Sequence, residues 1–206
     1  MKTATIVKNW TTSTELNLLE NIHREDINIT IYDRDVSALE KDINKLVKQG
    51  ITFKSYGSIS TIMNEITKVV PPNEFQRVLE DIKNLLGSFK RVTRKDNFRL
   101  LFATINTNMC RRFHTDVNNL RMLCTYAGQG TLWLTDDNVD RKALKTFGHN
   151  ESIVLDKNNI QQIKTGNVVI LKGAVYPNKK TKAVVHRSPT IEENGEKRLL
   201  LRIDTN

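Results

Sequence analysis

Phe98-Arg99-Leu100-Leu101-Phe102-Ala103-Thr104-Ile105 is the stretch that decides the fold, because the hydrophobic period changes there. Upstream, Phe75, Val78, Leu79, Ile82, Leu85 and Leu86 recur at helical spacing. Downstream, short apolar runs alternate with turn residues. Runs at Cys110–His114, Leu120–Tyr126, Thr131–Leu134, Ser152–Leu155, Asn167–Lys172, Lys182–Arg187 and Arg198–Asp204 read as strands. Gly128-Gln129-Gly130 reads as a turn, and residues 135–150 as a polar, irregular connection. Many short strands at near-regular spacing indicate a sandwich or barrel, and a jelly roll is the architecture expected. The fold class is α+β, mainly β.

Working outward, Ile27–Tyr32 alternates like a half-buried strand. Ser37 with Glu40 makes a capping box for a helix carrying Leu39, Ile43, Leu46 and Val47 on one face, stopped by Gly50. A second helix is expected over Ser60–Val69, closed by Pro71-Pro72, and a third from an Asn73 cap to Gly87. The chain therefore reads as a single domain, 1–206. Residues 1–90 form a mixed, mainly helical support, and residues 91–206 a jelly-roll core.

With 38% hydrophobic and 27% charged residues, nine Gly and four Pro, composition excludes a disordered or fibrous chain. Two cysteines, Cys110 and Cys124, are too few for a disulfide framework or a cysteine-only zinc site. Met1–Lys8 lacks the apolar core of a signal peptide, and no apolar run approaches the ~20 residues that span a bilayer. A soluble, cytoplasmic protein without membrane contact is expected. The net charge of +9 is unevenly divided: residues 1–90 carry 12 basic and 12 acidic side chains, residues 91–206 carry 20 and 11. The second part should attract anions. Nucleic acid is disfavoured, since there is no basic helix and no interleaving of aromatic with basic residues. Oligomeric state is left open.

Within that cationic half, Phe113-His114-Thr115-Asp116 is answered by Val184-Val185-His186-Arg187-Ser188-Pro189. Residues i and i+2 of an extended chain face the same way, so His114 and Asp116 can reach one metal ion, with His186 arriving from a late strand. Two imidazoles and a carboxylate on one face of an octahedron leave three positions free, the arrangement of an open ferrous site. Arg198 follows, across a Glu192-Glu193-Asn194-Gly195 turn, and a guanidinium beside the metal can pair bidentately with a dicarboxylate. Arg202 lies on the same strand face. Arg111 or Arg112 should point inward, Asn118 and Asn119 follow the metal loop, and Trp133 reads as core. His23 and His149 read as exposed, as does the Lys179-Lys180-Thr181-Lys182 run.

Taken together, Phe113–Asp116, Gly166–Leu171 and His186 through Arg198 resemble the signature of the Fe(II)/2-oxoglutarate-dependent dioxygenases over roughly residues 98–204. The His-Arg-Ser-Pro and Arg-Leu-Leu-Leu-Arg-Ile-Asp tail resembles a bacterial family catalogued as a domain of unknown function. The resemblance implies a double-stranded β-helix of jelly-roll, cupin-like type. It implies that His114, Asp116 and His186 bind Fe(II), and that Arg198 binds the far carboxylate of 2-oxoglutarate. O2 would be consumed, with release of succinate and CO2 and hydroxylation of a small-molecule or peptide-borne substrate, whose anionic character is suggested only by the charge division. Asp116 disfavours a halogenating variant. Arg202 and Arg198 could exchange roles. Leu200 stands where some subfamilies have Ser, so Thr125 or Tyr126 would support the carboxylate. The alternatives are a cupin-like metal-binding or sensing protein without oxygenase activity, and a nucleic-acid demethylase of the same superfamily.

Overall fold

A computed structural model describes residues 8–177 and 180–205. The signal-peptide reading of residues 1–7 and Lys179 of the cationic run lie outside the described residues. Strands β1 (Trp10–Ser13) and β2 (Ile29–Tyr32) pair in parallel around a 3-10 helix, Leu16–His23. The capping box at Ser37 does not form: its hydroxyl donates to Asp35 at 2.5 Å, and 37–39 turn as a 3-10 segment before α1 (Glu40–Gln49). Gly50 ends α1 at φ 69°, a conformation that costs least without a Cβ.

Next come β3 (Thr52–Gly57) and α2 (Ile59–Ile66), capped by the Ser58 hydroxyl accepting from the Thr61 N–H. In α3 (Pro72–Thr93) Pro71 takes the cap position expected of Asn73, and Pro72 sits in the first turn, where a missing N–H costs nothing. The helix runs through Gly87, where it was expected to stop. Ser88, Phe89 and Val92 prolong its buried stripe, and this burial outweighs the roughly 1 kcal/mol cost of a mid-helix glycine. Arg94, left-handed at φ 54°, ends it.

The remaining elements are β4 (Phe98–Ile105), β5 (Leu120–Ala127), β6 (Leu132–Leu134), α4 (Arg141–Lys145), α5 (Asn150–Ile153), β7 (Gln161–Gln162), β8 (Val168–Lys172), β9 (Val185–Arg187) and β10 (Arg198–Asp204). Two expected strands are corrected. Ser152–Leu155 is the helical turn α5 followed by a single bridge, Val154 to Val139, because Ser152 and Ile153 N–H groups bond back to His149 O. Cys110–His114 has strand pairing only at His114. Its backbone is instead held by the Asn150 amide, which accepts from Phe113 N–H at 2.8 Å and donates to Arg111 O at 2.8 Å.

The strands form a seven-stranded sheet, β1-β2-β8-β5-β10-β4-β3, and a three-stranded sheet, β7-β6-β9. The first ninety residues, expected mainly as helical support, thus supply β1, β2 and β3 to the large sheet. Strand alternation divides that sheet into two faces. Leu120, Met122, Cys124 and Tyr126 of β5, with Leu199, Leu201 and Ile203 of β10, pack under α1, α2 and α3. Leu123, Leu200, Leu101 and Val169 face the small sheet, meeting Trp133 and Val184. Arg198, Leu200 and Arg202 share β10's second face, so the two candidate arginines lie on the side that meets the small sheet. Among the described residues no helix is long and apolar enough to cross a membrane.

A partly buried ion pair ties the helical layer to the sheet. Arg34 donates to both Asp81 oxygens at 2.6 and 2.9 Å, and the Tyr126 hydroxyl donates to the same carboxylate. Asp81→Ala strands the Arg34 cation in a mostly buried site and should cost about 3–5 kcal/mol in urea unfolding. An Arg34→Met, Asp81→Leu double variant should recover most of that loss, and failure to recover would mean that the pair is not the source.

Candidate metal centre

The backbones of His114 and His186 form an antiparallel bridge, each N–H donating to the other's carbonyl at 3.0 Å. Their rings are therefore neighbours, with centroids 4.7 Å apart. Each Nδ1 faces a carbonyl oxygen two residues upstream, Arg112 O at 2.9 Å for His114 and Val184 O at 3.3 Å for His186. A carbonyl only accepts, so Nδ1 carries the proton of the neutral ring and Nε2 offers its lone pair. Burial, followed by the proximity of His186, lowers the pKa of His114 and favours that neutral ring.

Both Nε2 atoms face Asp116, His186 Nε2 lying 3.3 Å from Oδ2 and His114 Nε2 3.7 Å from Oδ1. One donor atom from each of the three residues falls within 4.8 Å of the others. Asp116 is 9% exposed, its Oδ1 is held by Arg121, and its Oδ2 is buried with no hydrogen-bond partner. Burial pushes its pKa up, and the Arg121 guanidinium on Oδ1 pulls it down, which keeps the carboxylate charged. Two aligned lone pairs and an unpaired carboxylate oxygen fit a divalent cation that takes N and O ligands.

The large sheet's inner face adds a second feature. Arg198 is 1% exposed, its NH2 donates to Thr125 Oγ1 at 3.1 Å, and its Nε is buried without a partner. No Asp or Glu pairs with it among the described residues. Burial lowers its pKa to about 10, so it remains a cation at neutral pH. It lines one small cavity with His114, His186, Arg121 and Arg202. Gly128, at φ 78°, lets the β5–β6 turn close over it: a Cβ there would fall 2.3 Å from Lys197 O and 3.1 Å from Arg198 Cγ.

The family model described as "Protein of unknown function (DUF1826)" matches residues 13–204. The chain belongs to that family. Among curated proteins none matches the sequence. Two solved structures share the fold. The dioxygenase for auxin oxidation of rice is 12% identical, with a TM-score of 0.51 over 95% of this chain and 81% of that one. The dioxygenase for auxin oxidation 1 of Arabidopsis thaliana, in a binary complex with 2-oxoglutarate, is 12% identical, with a TM-score of 0.55 over 95% and 91%.

In this DUF1826 protein the other candidate residues separate by strand face. Thr125 joins Arg198 on the inner face. Tyr126, its sequence neighbour, points the opposite way, to Asp81 and the Phe102 ring, and the structure does not bring it to the site. Arg202 reaches the cavity, with Nε 3.1 Å from Asp204 Oδ2. Asn118 donates to Asp204 at 3.2 Å, and Trp133 is core, against Trp10. Arg111 is exposed and paired with Glu192 at 3.0 Å, whereas Arg112 turns inward toward a larger cavity that His114 also lines. His149 is exposed. His23 is also exposed, yet its ring is held between the Tyr176 hydroxyl and Val92 O.

Arg121 escaped the sequence reading. It bridges Asp116 and Asp204, so it fixes which Asp116 oxygen is spoken for. The available signal was its place on β5, in phase with Leu123 and Thr125: a charge on the inner face of a buried strand requires a buried partner.

Proposed function

We propose that this protein is an Fe(II)- and 2-oxoglutarate-dependent oxygenase of jelly-roll, double-stranded β-helix type, hydroxylating a small-molecule or peptide-borne substrate. The observation that carries this reading is Arg198, a cation buried without an anion, opening on the same cavity as two histidines whose Nε2 atoms face an unpaired carboxylate oxygen. A buried charge is retained at such a cost where something binds it. A metal-binding protein that performs no oxidation leaves Arg198 unexplained. The shared fold with two dioxygenases, one holding 2-oxoglutarate, is consistent with the same chemistry.

In this reading His114 and His186 each contribute Nε2, and Asp116 contributes Oδ2. Arg121 occupies Oδ1 and keeps the carboxylate from rotating. Arg198 pairs with the distal carboxylate of 2-oxoglutarate, and Thr125, which accepts from Arg198, keeps its own O–H free to donate to the same anion. Ferrous iron bound there would supply the redox chemistry: one atom of O2 ends in succinate and the other in a substrate C–OH, with CO2 released. The two described cysteines are unpaired, in keeping with activity in the reducing cytoplasm.

The test is anaerobic. Fe(II) and 2-oxoglutarate added together to the protein should produce a metal-to-ligand charge-transfer band absent with either alone. No band, together with no calorimetric binding of 2-oxoglutarate, would overturn the reading.

A further inference from the structure

His114 also lines a second cavity, about 730 Å³ in volume. Five cationic side chains reach its wall, Arg112, Arg141, Lys145, Lys172 and Lys182, and among the described residues lining it there is no Asp or Glu. Among the described residues Arg141 is answered by the Asp136 carboxylate, and Asp26 and Glu25 act on Lys172 from outside the lining. Arg112 spends one NH2 on Leu144 O at 3.3 Å, and its Nε is buried without a hydrogen bond. Lys172 is buried with its Nζ on Arg24 O at 2.8 Å and 4.6 Å from the Tyr176 ring centroid. Burial lowers its pKa to about 8. Like charges converging on one concavity repel each other, and a bound anion relieves that repulsion while the low-dielectric wall strengthens the attraction.

The rest of the lining is apolar. Phe113 is buried at the back, while Val117 and Phe147 stand 87% and 82% exposed beside the cations. Phe147 has φ 59°, which is strained for a bulky residue, and its ring lies 4.9 Å from the Arg112 guanidinium. Uncovered apolar side chains bordering a pocket with a few convergent charges are the composition of a small-molecule site.

We propose that this cavity takes a small molecule bearing a carboxylate or phosphate on an apolar, ring-sized body, with Arg112 as its principal anion contact. That this molecule is the one oxidised rests on the oxygenase reading, because Arg112 lies two residues from His114 and the cavity reaches that histidine. The binding claim stands apart from it. His114 then separates two anion sites, the small cavity of Arg198 for the co-substrate and the larger one for the substrate.

The experiment uses 3-phenylpropionate against 3-phenylpropionamide, and phenyl phosphate against phenol, measured by calorimetry and ligand-observed NMR. At least one anion should bind ten-fold or more tightly than its neutral counterpart, and which of the two does so distinguishes carboxylate from phosphate. Arg112→Gln should lose most of that preference. The Lys145→Gln, Lys182→Gln double variant, which alters exposed side chains only, should lower the preference by a smaller factor. The 2-oxoglutarate affinity of the wild-type protein is measured on the same preparation. Equal binding of anion and neutral counterpart in both pairs, or wild-type affinity in every variant, would overturn the proposal. Anion preference persisting in a protein that binds no 2-oxoglutarate would instead overturn the oxygenase reading and leave the anion site in place.

Discussion

Replacing Arg198 with Met should make the ligand-free protein more stable and abolish its response to 2-oxoglutarate. Burial lowers the guanidinium from its ordinary range to about 10, which corresponds to roughly 3 kcal/mol against the folded state. The hydrogen bond to Thr125 returns part of this, about 1–2 kcal/mol. A methionine of similar length fills the space without the charge, leaving a net gain of about 1–2 kcal/mol, or roughly 3–6 °C in Tm. The sign of the pH dependence follows from the lowered pKa. The cost is fully present below about pH 10 and fades as pH rises from there toward the guanidinium's ordinary range, because there the unfolded chain binds more protons. Between pH 6 and 9 the difference between variant and wild type should therefore be constant. With Fe(II) present throughout, adding 2-oxoglutarate at one hundred times the wild-type Kd should stabilise wild type further, by about 2.7 kcal/mol, and the variant by none. Thermal melts with and without the co-substrate check both halves. A variant that is less stable alone and still responds to 2-oxoglutarate would move the anion-binding role to Arg202.

Asp116→Ala should lower divalent metal affinity by at least about one hundred-fold, since it removes one of three donors and the set's entire negative charge. Asp116→Asn, which keeps an oxygen but loses the charge, should fall between. Anaerobic calorimetry with Fe(II), or Co(II) absorption spectra, reads the difference directly. Arg121 keeps its second partner, Asp204, in both variants, so the fold should survive. Wild-type metal affinity in Asp116→Ala would mean that the buried, unpaired Oδ2 is an internal electrostatic device and not a ligand.

The mixed architecture, with helices layered on a large β-sheet, was legible where periodicity is strong. Phe98–Ile105, Leu120–Tyr126 and Arg198–Asp204 carry enough apolar residues to announce strands. Thr52–Gly57, an edge strand with only Phe53 buried, does not, and β1 and β7 are as faint. Short apolar runs are ambiguous between periods, which is how Ser152–Leu155 read as extended although its N–H groups close a helical turn. Gly87 read as a stop because glycine ends helices cheaply, a preference that the buried Phe89 and Val92 override in the folded chain.

At the candidate site the sequence by itself named the candidates: His114 and Asp116 through their spacing of two, His186 and Arg198 through their order in the late strands. Only the tertiary structure decided how they meet. The His114–His186 bridge, the Asn150 amide that braces the approach to it, and Arg121 between Asp116 and Asp204 all join residues distant along the chain. So did the choice of Thr125 over Tyr126, which turns on the face of β5 that meets the small sheet. A local pattern records the period of its own element. Which donors converge on one buried point is set by the sheet order and register that pack those elements together.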